Sequence, residues 1–306
     1  MQKQKVIVIC GPTASGKTVL SIELAKKIDG QIVSADSMQI YDEMDIGTAK
    51  PDLEEMQGIK HYLIGHVKPT ERYSVSNYKK DAENAIKEII SNKKRPIVVG
   101  GTGLYVNSLI YGIEYPQIEI DLKYRKELEE MCNTIGLEQL YNKALEIDRE
   151  ATEKISKNDK KRILRIIEIY HQTGKTKTQL EIESRKNGVQ YDYDVYAINI
   201  ERDILYERIN KRVDMMIDKG LIEEVKRIYD KYGENLLTSI QAIGYKEVIE
   251  YFKGEYTKED MIEKIKMETR RYAKRQLTWF KKIENVKWIN GLNEIQNNIS
   301  IILEGE

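Results

Sequence analysis

The stretch Gly11-Pro-Thr-Ala-Ser-Gly-Lys-Thr18 constrains this chain more than any other. It satisfies G-x-x-x-x-G-K-[ST], follows the apolar β-forming run Val6-Ile-Val-Ile9, and precedes a helical pattern over Val19 to Ala25. Strand, glycine-rich loop and helix in that order are the context the motif needs. The glycines let successive backbone N–H groups turn inward toward phosphate oxygens, and the following helix adds the positive end of its dipole. Gly11, Pro12, Thr13, Ala14, Ser15, Gly16, Lys17 and Thr18 are therefore the expected polyphosphate-binding residues. Lys17 is expected to reach the terminal phosphate and the Thr18 hydroxyl to bind Mg²⁺. The loop identifies a polyphosphate without saying which one.

Around it the chain alternates strands and helices. Gln31-Ile-Val-Ser-Ala35 predicts a second strand ending at Asp36, Thr70 to Asn92 is mostly helical, and Pro96-Ile-Val-Val99 is a third buried strand. That strand runs into Gly100-Gly-Thr-Gly103 and a helix over Tyr105 to Ile113. This alternation predicts an α/β fold with a P-loop-type parallel sheet core flanked by helices. From about Glu119 to Gly188 the pattern holds only helices: Leu122 to Ile135, Leu137 to Ile147, and Lys160 to Thr173. Tyr196 to Ile200 then returns to the sheet. The expected organisation is a catalytic core of residues 1–118 and 190–306, interrupted by a mainly helical insertion domain of residues 119–189. Beyond it, helices are expected over Ile204 to Asp218, Leu221 to Tyr232 and Lys258 to Ile283, with a last edge strand at Val286 to Ile289. Ile262, Ile265, Tyr272, Ala273, Leu277 and Phe280 lie roughly on one face of the long helix.

Composition narrows the function classes. Lysines and arginines number 50 against 50 acids, so any basic surface must come from local clustering. Between Thr152 and Lys186 the sequence carries ten lysines and arginines against five acids. Arg270, Arg271, Lys274, Arg275, Lys281 and Lys282 crowd the long helix, interleaved with Tyr272, Trp279 and Phe280, whose spacing suits core packing at least as well as base stacking. Cys10 and Cys132 stand apart with no partner at metal spacing, which argues against a disulfide scaffold or zinc site and fits a reducing compartment. No signal peptide and no membrane-length apolar run is seen, so a cytoplasmic protein is expected, by default a monomer.

Few residues carry chemistry beside the loop. P-loop NTPases commonly place an Asp after a later apolar strand to steady Mg²⁺, but here Ile97 to Val99 ends in glycines and threonine. The acid is Asp36, beyond the second strand, where open α/β sheets form their ligand crevice. It is a general base on an acceptor, a group that reaches Mg²⁺ indirectly, or simply a turn former. Thr102 offers a hydroxyl between glycines that permit close ligand approach. Arg208 and Arg212, four apart on one helix, are spaced to reach a common anion or to pair with nearby acids.

Six blocks together carry a resemblance: Gly11 to Thr18, Asp36-Ser-Met-Gln-Ile-Tyr41, Asp45-Ile-Gly-Thr-Ala-Lys50, Val99-Gly-Gly-Thr-Gly-Leu-Tyr105, Gln241-Ala-Ile-Gly-Tyr-Lys-Glu247, and Arg270 to Phe280. In order and across nearly the whole chain, they resemble the bacterial tRNA dimethylallyltransferases. The resemblance implies transfer of a dimethylallyl group from dimethylallyl diphosphate to the exocyclic amine of the adenosine 3′ of the anticodon. The loop would then hold a diphosphate with Mg²⁺ on Thr18, Asp36 would take the amine proton, and Thr102 would orient the base or diphosphate. Arg208 and Arg212 match basic positions of the family and would supplement the diphosphate clamp. The resemblance also implies tRNA contacts from Asp36, Ser37, Met38, Gln39, Thr102 and Arg125, and from Lys160, Lys161, Arg162, Ile163 and Arg165 in the insertion. That insertion would grip the anticodon stem-loop. Many relatives carry Gln where this chain has Lys161, which adds charge but loses the amide acceptor, so base reading is not assigned there.

Two other functions share parts of this pattern. A small-molecule or nucleoside kinase would also have the loop and an Asp after the second strand, and would consume ATP. A non-catalytic RNA-binding protein would not need Lys17, Thr18 and Asp36 together. Under the transferase reading, a nucleotide that enters the loop competes with the substrate.

Overall fold

The computed structural model describes residues 3–114, 121–185 and 188–305. Its sheet has six strands: β1 (Lys5–Cys10), β2 (Gly30–Ser34), β3 (His61–Tyr62), β4 (Arg95–Gly100), β5 (Asp192–Asn199) and β6 (Lys287–Asn290). Their spatial order is β3-β2-β4-β1-β5-β6, and every pairing is parallel. The parallel α/β core expected from the alternating pattern is therefore present. A parallel sheet is covered on both faces, so its central strands are apolar at consecutive positions. In β1, Val6, Val8 and Cys10 enter one core and Ile7 and Ile9 the other, following the two-residue period of a strand.

Helices complete the two layers. On one face α1 (Lys17–Ile28) contributes Leu20, Leu24 and Ala25, joined by Ile299 and Ile302 near the end of the chain. On the other, Tyr78, Ala82, Ile86 and Ile89 of the Val75–Ser91 helix pack with Tyr105, Val106 and Leu109 of the Gly103–Ile110 helix. The Val75–Ser91 helix starts five residues later than expected, because Ser74 and Asn77 form a reciprocal cap there. The Gly103–Ile110 helix stops before Gly112, whose φ of 61° is left-handed.

Parallel register sets the site. Cys10 pairs with Gly100 and Ser34 with Val99. The strand order puts β4 between β2 and β1, so the loops leaving the three strands start side by side at one level. Residues 11–16, 36–39 and 101–102 are those loops, at the carboxyl edge where such sheets bind ligands.

Beyond the sheet, helices Arg202–Asp218, Leu221–Tyr232, Tyr245–Phe252 and Lys258–Phe280 share a further core with Ile40, Tyr41 and Met44. The Lys258–Phe280 helix ends three residues short of the expected Ile283. Its buried residues are Met261, Ile265, Ala273, Gln276 and Phe280, so Gln276 occupies the apolar stripe while Ile262, Tyr272 and Leu277 are only half-buried. The sequence reading did not anticipate the two-residue β3, the short Leu53–Met56 helix, the Tyr245–Phe252 helix or the Ile295–Glu304 helix.

The described chain divides into two compact units, Met1–Ile110 with Gln190–Glu306, and Tyr111–Val189. The expected junction at residues 118 and 119 lies outside the described residues. The second unit contains no strand among its described residues. Its core draws Leu128, Leu140, Tyr141, Ala144, Ile163, Leu164, Ile166 and Ile167 from the helices Leu122–Ile135, Leu137–Ile147 and Lys160–Thr173. Two short helices, Arg149–Glu153 and Lys177–Ser184, were not anticipated. No helix of the described residues is long and apolar enough to cross a membrane.

Candidate active site

The phosphate loop has the backbone of an anion cradle. Gly16, with φ 87°, sits at the start of α1, and no side chain caps its first turn. The orphan N–H groups of that turn therefore face outward, ready for an anion. Ser15 Oγ is buried and makes no hydrogen bond within the protein. A buried hydroxyl without a partner is costly, and a phosphate oxygen would satisfy it. Lys17 Nζ donates to Pro12 O at 2.6 Å across the loop. Loss of surrounding water brings the Lys17 ammonium down to about 8; the Arg212 charge pushes the same way, and Asp36 and Cys10 oppose it. Burial pushes the neighbouring Cys10 thiol up to about 12, leaving it a neutral core side chain; Cys10 and Cys132 are both free.

Opposite the loop, Asp36 Oδ1 accepts from Met38 N at 2.9 Å and Gln39 N at 3.3 Å. Asp36 is thus the turn former that strand ends favour, and it also lines a cavity of about 330 Å³. That cavity brings together Thr13, Lys17, Thr18, Asp36, Ser37, Met38, Gln39 and Arg212. Its remaining wall is mixed: Val213, Met216, Ile243 and Ile265 form an apolar patch, beside Thr48, Gln241, Thr269, Tyr272 and a second arginine, Arg275. Burial pulls the Arg212 guanidinium below its ordinary value while Asp36 holds it up. Of the two arginines weighed together, only Arg212 lines the cavity; Arg208 is exposed one turn away.

Thr102 does not line the cavity. Its Oγ1 accepts from Ser37 N at 3.0 Å and lies 3.3 Å from Ser37 Oγ, and its own N–H donates to Ala35 O at 3.1 Å. The hydroxyl expected to face a ligand instead braces the Asp36 turn. The glycines beside it have steric reasons: a Cβ on Gly101 would collide with Gln276, and one on Gly103 with the Trp279 ring.

Gln276 is one site residue that the sequence reading missed. Its Oε1 accepts from Thr13 N at 2.9 Å and its Nε2 donates to Gly101 O at 2.9 Å. One buried amide therefore ties the phosphate loop to the loop after β4. The available signal was a glutamine three residues after Ala273 and four before Phe280, on the buried stripe of its helix. Tyr272 is a second: it lines the cavity, and burial, with the Asp36 charge next, keeps its phenol protonated.

For Mg²⁺ the donor set is one of hard oxygens. Thr18 and Asp36 both line the cavity, and no cluster of three or more His, Cys, Asp or Glu capable of holding a metal occurs among the described residues. That set fits an ion which keeps several waters and binds through one or two protein oxygens plus substrate phosphates.

In the second unit, Glu168 is buried and accepts from Arg125 Nε at 2.6 Å and Nη2 at 2.9 Å, with Arg165 Nη1 at 3.5 Å. Arg125 and Arg165 are thereby drawn together. Asp159 caps the Lys160–Thr173 helix through Arg162 N at 3.2 Å. Lys161 and Arg162 are exposed and Lys160 half-buried. Ile163 departs from expectation: it is fully buried in the unit's core, so its side chain has no surface to offer RNA.

Comparison with known proteins identifies the family. The family model described as IPP transferase matches residues 39–283. The tRNA dimethylallyltransferase of Acetivibrio thermocellus is 52% identical over 285 residues, 93% of this chain and 91% of that protein. That of Clostridioides difficile is 44% identical over 309 residues, 99% of each. Among solved structures, the full-length tRNA isopentenylpyrophosphate transferase of Bacillus halodurans aligns with a TM-score of 0.74 at 42% identity, covering 99% of this chain and 95% of that one. A eukaryotic dimethylallyltransferase, captured acting on tRNA, aligns with a TM-score of 0.80 at 31% identity, covering 99% of this chain and 79% of that one. The chain belongs to the IPP transferase family.

Proposed function

We infer that this chain is a tRNA prenyltransferase, transferring a dimethylallyl group from dimethylallyl diphosphate to the exocyclic amine of the adenosine 3′ of the anticodon. The observation that carries this reading is one cavity lined by Lys17, Thr18 and Arg212, by the Asp36 carboxylate, and by an apolar patch of Val213, Met216, Ile243 and Ile265. Cations and hydroxyl suit a diphosphate, the apolar patch suits a five-carbon allyl chain, and the carboxylate suits an amine that must lose a proton. Family membership favours this reaction over the small-molecule kinase alternative.

In the reaction, the adenine N6 attacks the allylic carbon as the carbon–oxygen bond to diphosphate breaks. Diphosphate leaves with the electron pair, and the N6 proton passes to Asp36. Charge grows on the leaving oxygen, so donors that reach it would act most strongly in the transition state. Those donors are the first-turn N–H groups of α1, Ser15 Oγ, Lys17 and Arg212. Mg²⁺, held by Thr18 and the diphosphate with Asp36 nearby, would supply further charge neutralisation on the leaving group. The target base is stacked in its loop and must be turned out to meet the cavity, with Ser37, Met38 and Gln39 beside it. Arg125, Arg165, Lys160, Lys161 and Arg162 supply phosphate-neutralising charge on the helical unit, suited to the anticodon stem-loop.

The test is transfer of label from allylic-labelled dimethylallyl diphosphate to unmodified tRNA, with Mg²⁺ and without ATP. Label should enter the RNA and be lost with Lys17→Ala. Absence of transfer alongside ATP-dependent phosphorylation of a small acceptor would overturn the reading.

A further inference from the structure

The segment Asp45-Ile-Gly-Thr-Ala-Lys50 is distinctive in sequence, yet none of the reaction steps above uses it. In the structure its backbone is gripped by one buried carboxylate. Glu224 Oε2 accepts from Asp45 N at 3.0 Å and Ile46 N at 2.9 Å, and Oε1 accepts from Gly47 N at 3.0 Å. The fourth donor is Tyr245 OH, 2.5 Å from Oε1. Burial, with the Glu224 charge next, keeps that phenol protonated and so a donor. Three consecutive N–H groups converging on a buried anion form a nest, here filled by the protein's own side chain.

Two walls of the cavity hang on this point. Gly47 and Thr48 line it directly, and Gln241 to Gly244, which lead into Tyr245, line it as well. The segment also sets Gln39, whose Nε2 donates to Thr48 O at 3.3 Å and Ala49 O at 3.1 Å. Packing leaves no slack: a Cβ on Gly47 would run into the Tyr245 ring and Leu221. The hydrogen bonds of Glu224 run to Asp45, Ile46, Gly47 and Tyr245, away from the phosphate loop's own sequence.

We propose that Glu224 is a positioning residue that fixes the acceptor side of the cavity, through the Asp45–Gly47 backbone and Gln39, without taking part in diphosphate binding. The inference rests on the tRNA-prenylation reading. Glu224→Gln preserves shape but places an NH₂ donor where two of the four donors point, whichever way the amide turns. Tyr245→Phe removes one donor and keeps the ring, and Gly47→Ala displaces the same segment sterically.

The experiment measures, for each purified variant, the KM for unmodified tRNA, kcat, and the affinity for a non-reactive dimethylallyl diphosphate analogue. For Glu224→Gln and Gly47→Ala the KM for tRNA should rise about tenfold, the scale of losing hydrogen bonds to a charged acceptor. Analogue affinity should stay within about twofold, because no phosphate contact is lost. Tyr245→Phe should shift in the same direction by less, and decides the matter if the other two fail to fold. Equal losses in tRNA and analogue binding, or no change in either, would overturn the proposal. A wild-type protein that fails to label tRNA would instead refute the functional reading.

Discussion

Raising pH should weaken diphosphate binding through Lys17 alone. The ordinary value for a lysine is 10.5, and in the folded chain Lys17 is held at about 8. The gap corresponds to a penalty on the order of 3 kcal/mol on the charged form. Its sign follows from which state holds the proton. Below about pH 8 the ammonium is charged in both folded and unfolded chains, and the folded chain carries the full penalty. Between about 8 and 10.5 the folded site sheds its proton first, so the penalty fades and this contribution to stability improves. Bound diphosphate reverses the balance by supplying negative charge beside Nζ. Affinity for a non-reactive dimethylallyl diphosphate analogue should therefore be nearly flat up to about pH 7 and fall about tenfold per unit above about pH 8. Calorimetry in two buffers of different ionisation enthalpy should show close to one proton taken up per site at about pH 9. Lys17→Arg, charged throughout this range, should bind with a flat profile. A flat profile for the wild type, with no proton uptake, would refute the account of Lys17.

Three substitutions probe the remaining contacts. Asp36→Asn should lower kcat by about 10²-fold or more, the range of general-base loss, with tRNA affinity little changed in a filter-binding assay; near-normal turnover would remove Asp36 from the chemistry. Gln276→Leu strands the Thr13 N–H and the Gly101 carbonyl, and should cost about 1–3 kcal/mol per unsatisfied group in urea unfolding, together with weaker analogue binding. Glu168→Gln releases Arg125 and Arg165, and should destabilise the helical unit by about 1–3 kcal/mol; an unchanged denaturation midpoint would count against that buried pairing.

Much of this architecture is legible from side-chain periodicity, and the exceptions share a cause. The alternation of Val6, Ile7, Val8 and Ile9 between two cores is the direct expression of a strand buried on both faces. The loop from Gly11 to Thr18 and Asp36 announce themselves because a phosphate-binding turn and a strand-end acid need those residue types in local order. Gln276 and Glu224 do not. Each is a polar residue on the apolar stripe of an amphipathic helix, and its meaning comes from partners far away in sequence: Thr13 for one, Asp45 to Gly47 for the other. Arg208 and Arg212 could not be separated by spacing, because small differences in helix rotation decide which faces the cavity. Ile163 was carried along by its basic neighbours although its own apolar character pointed inward.

The amide bridge from Gln276 also bears on how the protein is made. The phosphate loop leaves the ribosome before its brace, which is 263 positions further on. The central strand β1 likewise waits for β5, begun at Asp192, to cover its second edge. Contacts so distant in sequence form slowly. Nascent chains and those broken before residue 276 would carry the complete phosphate-binding motif without its brace. Until then the Thr13 N–H and the Gly101 carbonyl would lack the amide that joins them.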